Sequence, residues 1–456
     1  MRSILLVEPD YRSKFPPLGL MRLSTFHKLK KDKVVFVRGK VEQMQQEHWD
    51  RIYVSSLFTY ELPRTLATVK YYLPSVNNES DIIVGGVGAT LLPEYIRNES
   101  KCTIITGPLD NPNMIGGDIE PISSLTPDYS LIDEVDWDYK PKDTYFCKVT
   151  QGCIRKCGFC AVPRLEPTFK YIKSLQTQIQ DIRNSFSERQ HLVLMDNNLL
   201  ASTELMTIMS DIRNAGFGVG AKRNGRRRTV DFNQGIDARL IDEKVARELS
   251  SISLSPVRLA LDNDAMIGPY QKAIEEMAKV GFTEFTNYVM FNFNDTPRSL
   301  YERMKLNVVL SEQLGIRITG FPMRYAPIDD VSRRYIAQEW CWRYLRGIQC
   351  VLIATHGLVS PNPTFFDAAF GKSYEEFIEI LSMPDRYIIH RKRHKNAEAA
   401  DWLREFRKLS EKDRIEFMHI LDTLNSMRTH KSDVIQNSRF SNLIEHYYPN
   451  GKVPKA

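Results

Sequence analysis

The sequence predicts an α/β protein in three parts: a parallel sheet over residues 1–140, six strand–helix units over 141–330 and a mainly helical region over 331–456. Three observations lead there. Short apolar runs of strand length alternate with helical spans as far as residue 330, the pattern of parallel sheets covered by helices. Polar residues collect just after those runs and are not spread evenly. From Ser332 onward strand signals give way to successive helical spans. At 456 residues the chain exceeds one ordinary core, so two or three domains are expected.

Composition bounds the class. Hydrophobic content of 42% and charged content of 26% are those of a globular protein. No apolar run approaches the ~20 residues of a membrane span. Ile4-Leu5-Leu6-Val7 is ended at once by Glu8 and Pro9, which reads as a buried strand and not as a signal peptide. A reducing, cytoplasmic setting is the expectation. A net charge of +6 permits a polyanionic partner without demanding one.

In the first part, strands are expected at 4–7, 34–37, 51–56, 81–86 and 102–107. An amphipathic span runs to about Lys31, and a helix covers 62–73. Ligands of such sheets bind beyond the carboxyl ends of the strands. Pro16-Pro17-Leu18-Gly19-Leu20, Gly85-Gly86 and Gly107 fall there. Residues 111–142, rich in Pro, Gly, Asp and Ser, read as a linker.

In the second part, strands are expected at 145–150, 191–195, 229–235, 257–261, 285–291 and 316–321, with helices at 174–186 and 203–215. After the strands come Asp196, Asn197 and Asn198; Asn233, Gln234 and Asp237; Asp262 and Asn263; Asn292, Asn294 and Asp295; then Arg324 and Tyr325. In a βα-barrel the carboxyl ends of the strands converge on one mouth, where the site is built. Each of these residues also has a plainer reading, because Asn and Asp after a strand are ordinary caps and turn formers.

The strongest local signal is Cys153-Ile154-Arg155-Lys156-Cys157-Gly158-Phe159-Cys160, three thiols at spacing C-x3-C-x2-C. Thiolates select zinc or iron–sulfur clusters. A structural zinc site needs four ligands; Cys147 could be the fourth, but its spacing is not a usual zinc pattern. Seven cysteines, an odd number, and no secretory signal argue against a disulfide. A 4Fe–4S cluster held by three thiolates would keep one iron open to an exogenous chelator.

This run, with the aromatic Phe159 before its last cysteine, resembles the signature of the radical SAM superfamily. The resemblance implies that Cys153, Cys157 and Cys160 ligate a 4Fe–4S cluster whose open iron is chelated by S-adenosylmethionine (SAM). It also implies that an electron donor such as flavodoxin or ferredoxin drives SAM cleavage to a 5′-deoxyadenosyl radical. It implies a (β/α)6 partial TIM barrel for 141–330. Phe159, Asp196, Asn197, Asn198, Asn233, Gln234, Asp262, Asn292 and Arg324 are then the candidates to seat SAM. Asp196-Asn197-Asn198 stands where the superfamily usually has Gly-Gly-Glu around the SAM amino group, so that carry-over is by position. Arg258 and Arg324 could each meet a carboxylate or phosphate, or form an internal salt bridge.

The N-terminal loop Pro16-Pro17-Leu18-Gly19-Leu20 and the strand end Ile82-Ile83-Val84-Gly85-Gly86 resemble the cobalamin-binding domain that precedes many radical SAM cores. The axial-ligand motif Asp-x-His-x-x-Gly is absent, and His27 and His48 lack its context. Cobalamin binding, with methylation as the outcome, therefore stands beside a Rossmann-like domain that only packs or touches substrate.

Two basic stretches remain. Lys222, Arg223, Arg226, Arg227 and Arg228 crowd around Gly225 in what reads as a flexible solvated loop, with nucleic-acid contact by Arg226, Arg227 and Arg228 as the alternative. Residues 389–395, with Tyr387 and Trp402 nearby, form a second cluster open to both readings. Cys341 and Cys350 lack cluster spacing, which disfavours an auxiliary cluster. Two further functions therefore stay open: a zinc-stabilised nucleic-acid-binding module, and a radical SAM enzyme acting on nucleic acid. The substrate is not legible.

Overall fold

Ile4, Leu5, Leu6 and Val7 are all fully buried in β1 (Ser3–Glu8), as a central strand covered on both faces requires. β1 pairs in parallel with β2 (Lys33–Arg38) and β3 (Arg51–Ser56). β4 (Ile82–Gly86) and β5 (Thr103–Ile104) extend the sheet, also in parallel. The order is β2-β1-β3-β4-β5, a doubly wound order whose switch point lies between β1 and β3. The five expected strands are all present. This computed structural model describes residues 1–117, 119–391, 397–427 and 431–448.

Glu8, at the carboxyl end of β1, is 3% exposed. Tyr139 donates to its carboxylate, and Arg38 stands 3.3 Å away. Burial outweighs these partners and pushes its pKa from the ordinary 4.5 up to about 7. The folded state therefore holds this proton more tightly than the unfolded chain. Its stabilisation is complete below about pH 4.5 and is lost as the pH climbs through about 7. Glu8→Gln is expected to flatten that part of the decline in the urea midpoint between about pH 5 and about pH 7. A decline equal to that of the unmodified protein would refute this role.

β6 (Thr144–Cys147), β7 (Thr150–Gln151), β8 (Lys170–Tyr171) and β9 (His191–Leu194) follow. Then come β10 (Lys222–Arg223), β11 (Arg226–Arg227) and β12 (Val230–Phe232). β12, β9 and β6 form one three-stranded parallel sheet. β13 (Arg258–Ala260), β14 (Glu284–Phe291) and β15 (Arg317–Arg324) form another. The six strands expected between 141 and 330 are thus present as two sheets of three. Ser255 donates to Val230 O at 2.8 Å, but Pro256 follows and has no N–H to continue that ladder.

The chain divides into two compact units, 1–257 with 326–335, and 258–325 with the described part of 336–456. The break falls inside the expected central part and not at 140. The stretch expected to be a linker is tied down instead. Asp128 accepts from Ser24 at 2.7 Å and from Lys28 at 2.6 Å. Tyr129 Oη accepts from Phe146 N at 2.8 Å, and Lys173 donates to Ser124 O at 3.3 Å.

In the second unit, helices Trp342–Ala354, Pro363–Phe370, Tyr374–Ser382, Glu398–Arg407 and Glu411–Ser426 make up the helical region. Residues 334–341, just before the first of these helices, are irregular. Trp340 there donates its indole N–H to Asp295 O at 3.0 Å. Tyr387 and Trp402 are fully buried in the helical core with Phe406 and Phe417. They are thereby removed from any base-stacking role at the 389–395 cluster, of which residues 392–395 lie outside the described residues. Among the described residues no helix is long and apolar enough to cross a membrane.

Candidate cluster site at the cysteine loop

The cysteines lie on the loop that joins β7 to β8, whose antiparallel ladder pairs Thr150 with Tyr171 and Gln151 with Lys170. Gly152 opens the loop at φ +77°, and a Cβ there would stand 2.4 Å from Thr168 O. Only glycine fits that position. Glu166 closes the loop: it accepts from Gly152 N at 2.7 Å, from Asn197 Nδ2 at 2.8 Å and from Lys148.

Asp196 holds the strand that leads in. Its Oδ1 accepts from Val149 N at 3.0 Å, from Thr150 Oγ1 at 2.7 Å and from Thr150 N. Burial raises its pKa to about 6 against those bonds, and its Oδ2 is buried without a hydrogen-bond partner.

Cys153, Cys157 and Cys160 are half-buried and in no disulfide, whereas Cys102, Cys147 and Cys350 are buried. Arg155 N donates to Cys153 Sγ at 3.3 Å and Val162 N to Cys160 Sγ at 3.4 Å. Asn198 Nδ2 reaches Cys153 Sγ at 3.5 Å, and the Arg239 guanidinium meets the Cys157 thiol. All three sulfurs thus have hydrogen-bond donors directed at them. Cys147 differs: burial, with Asp196 adding to it, drives its thiol far up and keeps it protonated.

Asp237 ties these groups together. It accepts from Arg155 Nε at 3.0 Å, from Asn198 Nδ2 at 3.1 Å and from Arg239 Nε at 2.6 Å. Burial opposes its ionisation, but those bonds together hold its carboxyl below the usual range. Glu166, Arg155 and Arg239 were not among the candidates read from sequence. Their signal is faint: charges inside and just beyond the cysteine run, and an Asp-x-Arg pair at 237–239. Outer partners of metal ligands tune affinity by about 10- to 100-fold. Asp237→Asn is expected to weaken retention of iron by that order against a competing chelator; unchanged retention would refute the role.

The other candidates are dispersed. Phe159 is half-buried on the loop. Asn198 is buried, and its Oδ1 has no hydrogen-bond partner. At the end of β12, Asn233 is half-buried with Nδ2 3.9 Å from Met195 Sδ, and Gln234 is exposed. In the second unit, Asp262 is half-buried and Arg324 exposed. Asn292 is fully buried at φ +67°, bonded to Tyr325 O at 3.0 Å and accepting from Ala337 N at 2.9 Å. Arg258 donates to Tyr288 Oη at 2.8 Å.

The basic loop is a β-hairpin of β10 and β11, turned by Asn224 and Gly225 at φ +51° and +73°, as a two-residue hairpin turn requires. Arg226 and Arg227 are exposed. Arg228 departs from the expectation of a solvated cation. It is 5% exposed, with its guanidinium 3.7 Å from the Phe217 ring centroid, paired with Glu188 at 3.0 Å and bonded to Arg189 O at 2.9 Å. These partners leave it none of the free surface that phosphate contact needs.

No family model matches the chain, and no curated protein matches it. Its structure is similar to that of the cobalamin-dependent S-adenosylmethionine radical enzyme OxsB with aqua-cobalamin bound, at a TM-score of 0.40 and 13% identity, covering 73% of this chain and 51% of that one. With S-adenosylmethionine also bound, OxsB gives a TM-score of 0.41 at the same identity and coverage. Streptococcus suis SuiB bound to its precursor peptide SuiA gives 0.32 at 13% identity, covering 45% of this chain and 44% of that one. The chain spans about half the length of the solved proteins it matches.

Proposed function

We propose that this chain is a radical SAM enzyme with Cys153, Cys157 and Cys160 as the ligands of a 4Fe–4S cluster. The observation that carries the reading is the set of three half-buried thiols on one loop, supplied with N–H and guanidinium donors. Among the described residues no three His, Cys, Asp or Glu side chains converge on a single metal ion. Zinc needs such convergence. When bound, the cluster supplies the electron that cleaves SAM to methionine and a 5′-deoxyadenosyl radical.

The chain's own residues then have distinct tasks. Arg155 N, Val162 N, Asn198 and Arg239 direct positive charge at the thiolates. Asn198 Oδ1, buried and without a partner, suits the SAM ammonium, an obligate donor. Asp196 and Glu166 fix the loop's two ends. Phe159, Asn197, Asn233 and Gln234 stand as further SAM contacts on the first unit. Reduction calls for an external one-electron donor, and an oxygen-sensitive cluster suits a reducing compartment.

A second observation bears on the N-terminal sheet. A cavity of about 220 Å³ beyond its strand ends is lined by Gly19, Arg22, Gly85, Gly86, Gly107 and Tyr53 among others, with no histidine among the described lining residues. His27 is occupied by Asp32 at 2.8 Å and Tyr53 at 3.0 Å. A cobalamin bound here would be held without a histidine ligand, against the glycine-rich strand ends. Corrinoid retention through purification tests it.

The main reading is tested by anaerobic reconstitution, then SAM and a reductant. Formation of 5′-deoxyadenosine is the expected result; a colourless, zinc-loaded protein would refute it.

A further inference from the structure

A cavity of about 410 Å³ lies against the β7–β8 ladder. Its size is that of a pocket for a small organic ligand. Its lining is sharply biased in charge. Arg22, Lys148, Lys170 and Lys173 face it, with Asp110 as the carboxylate among the described lining residues. Much of that negative charge is already engaged: Gln151 donates to Asp110 at 2.7 Å, and Lys170 stands 3.7 Å from it. Lys148 and Lys173 have acidic partners in Glu166 and Asp181.

Arg22 is the exception. It projects from the helix Leu18–Leu29, and its Nε is buried with no hydrogen-bond partner. Burial is the largest influence on its guanidinium and works against its charge. A guanidinium N–H buried without an acceptor is costly, which points to an anion that belongs beside it. The remaining wall is apolar, with Phe146, Leu125, Ile172 and Ile182, and Ser123, Ser124 and Thr126 bring hydroxyls.

We propose that this cavity is a binding site for a small organic anion, a carboxylate or phosphate on an apolar or aromatic body, with Arg22 as its anchor and Lys170 as a second contact. Cation and hydroxyl donors would take the anionic head, and the Phe146 side the body. The site rests on the charge and shape of its own lining and not on the cluster reading. Gln151, in its wall, directly precedes the cysteine loop, so the ligand would sit at the base of that loop.

The full-length protein titrated calorimetrically with phenyl phosphate and, separately, with 3-phenylpropionate tests this. Saturable binding of at least one probe at or below ~1 mM is expected; which probe binds tells phosphate from carboxylate. Arg22→Gln should weaken binding by roughly tenfold or more, and Lys170→Gln, at an exposed side chain, by severalfold. Without probe, Arg22→Gln should leave the thermal midpoint unchanged or raise it, because it removes a buried Nε–H that has no acceptor. No saturable binding of either probe would overturn the proposal. So would binding indifferent to both substitutions. A lowered midpoint in Arg22→Gln, with Lys170→Gln binding normally, would make Arg22 a structural cation and overturn it too.

Discussion

Replacing any one of Cys153, Cys157 and Cys160 with Ala is expected to remove the broad absorbance near ~400 nm from the anaerobically reconstituted protein and to take 5′-deoxyadenosine formation to background. Three thiolates are the smallest protein set that can fix a cubane while leaving one iron open, so no member is spare. The half-buried loop position also makes each substitution structurally mild. The contrast lies with the other thiols. Cys102 and Cys350 are buried in cores, and burial raises the pKa of each. Their Ala variants should keep the full iron and sulfide content. Retained colour in Cys157→Ala, or loss of colour in Cys102→Ala, would sink the assignment.

Arg303→Met is expected to destabilise the second unit by about 3–5 kcal/mol, the cost of breaking a buried ion pair from one side. Arg303 is fully buried on the helix Pro297–Leu314. It donates to Leu261 O at 2.8 Å, Met290 O at 2.7 Å and Asp295 Oδ2 at 2.6 Å. It thereby ties the ends of strand and turn segments to one helix. Its loss leaves Asp295, 7% exposed, with a carboxyl that burial already pushes up. The thermal midpoint should fall by about 10 °C. Because the damage is largely an orphaned carboxylate, Arg303→Met combined with Asp295→Leu should recover much of the loss. A single-variant loss under about 1 kcal/mol, by denaturant titration, would show that the pair contributes little.

This pair also explains why some strand-end residues resisted assignment. Asn292 and Asp295 have the composition of a ligand site, yet Asn292 bonds the backbone of Tyr325 and Ala337, and Asp295 serves Arg303 and Trp340. Amides and carboxylates at strand ends suit caps as well as ligands, and only their partners separate the two uses. The same holds for the cations. Arg226, Arg227 and Arg228 are equivalent in sequence, but alternation along the hairpin and its exit buries Arg228 against Phe217 and Glu188.

The sequence by itself determined that three thiols sit together on one loop and that short buried strands run along most of the chain. Three thiols within eight residues lie close whatever the fold, and apolar runs of strand length reveal buried strands through local periodicity. The tertiary structure alone decided which groups serve those thiols. Asp237 is 82 residues from Arg155, and Asn198 is 45 from Cys153. The same is true of Arg22 and its cavity, where residues 22, 110 and 170 meet. Such pairings leave no periodic trace, because they depend on long-range packing and on which polar groups burial leaves without water.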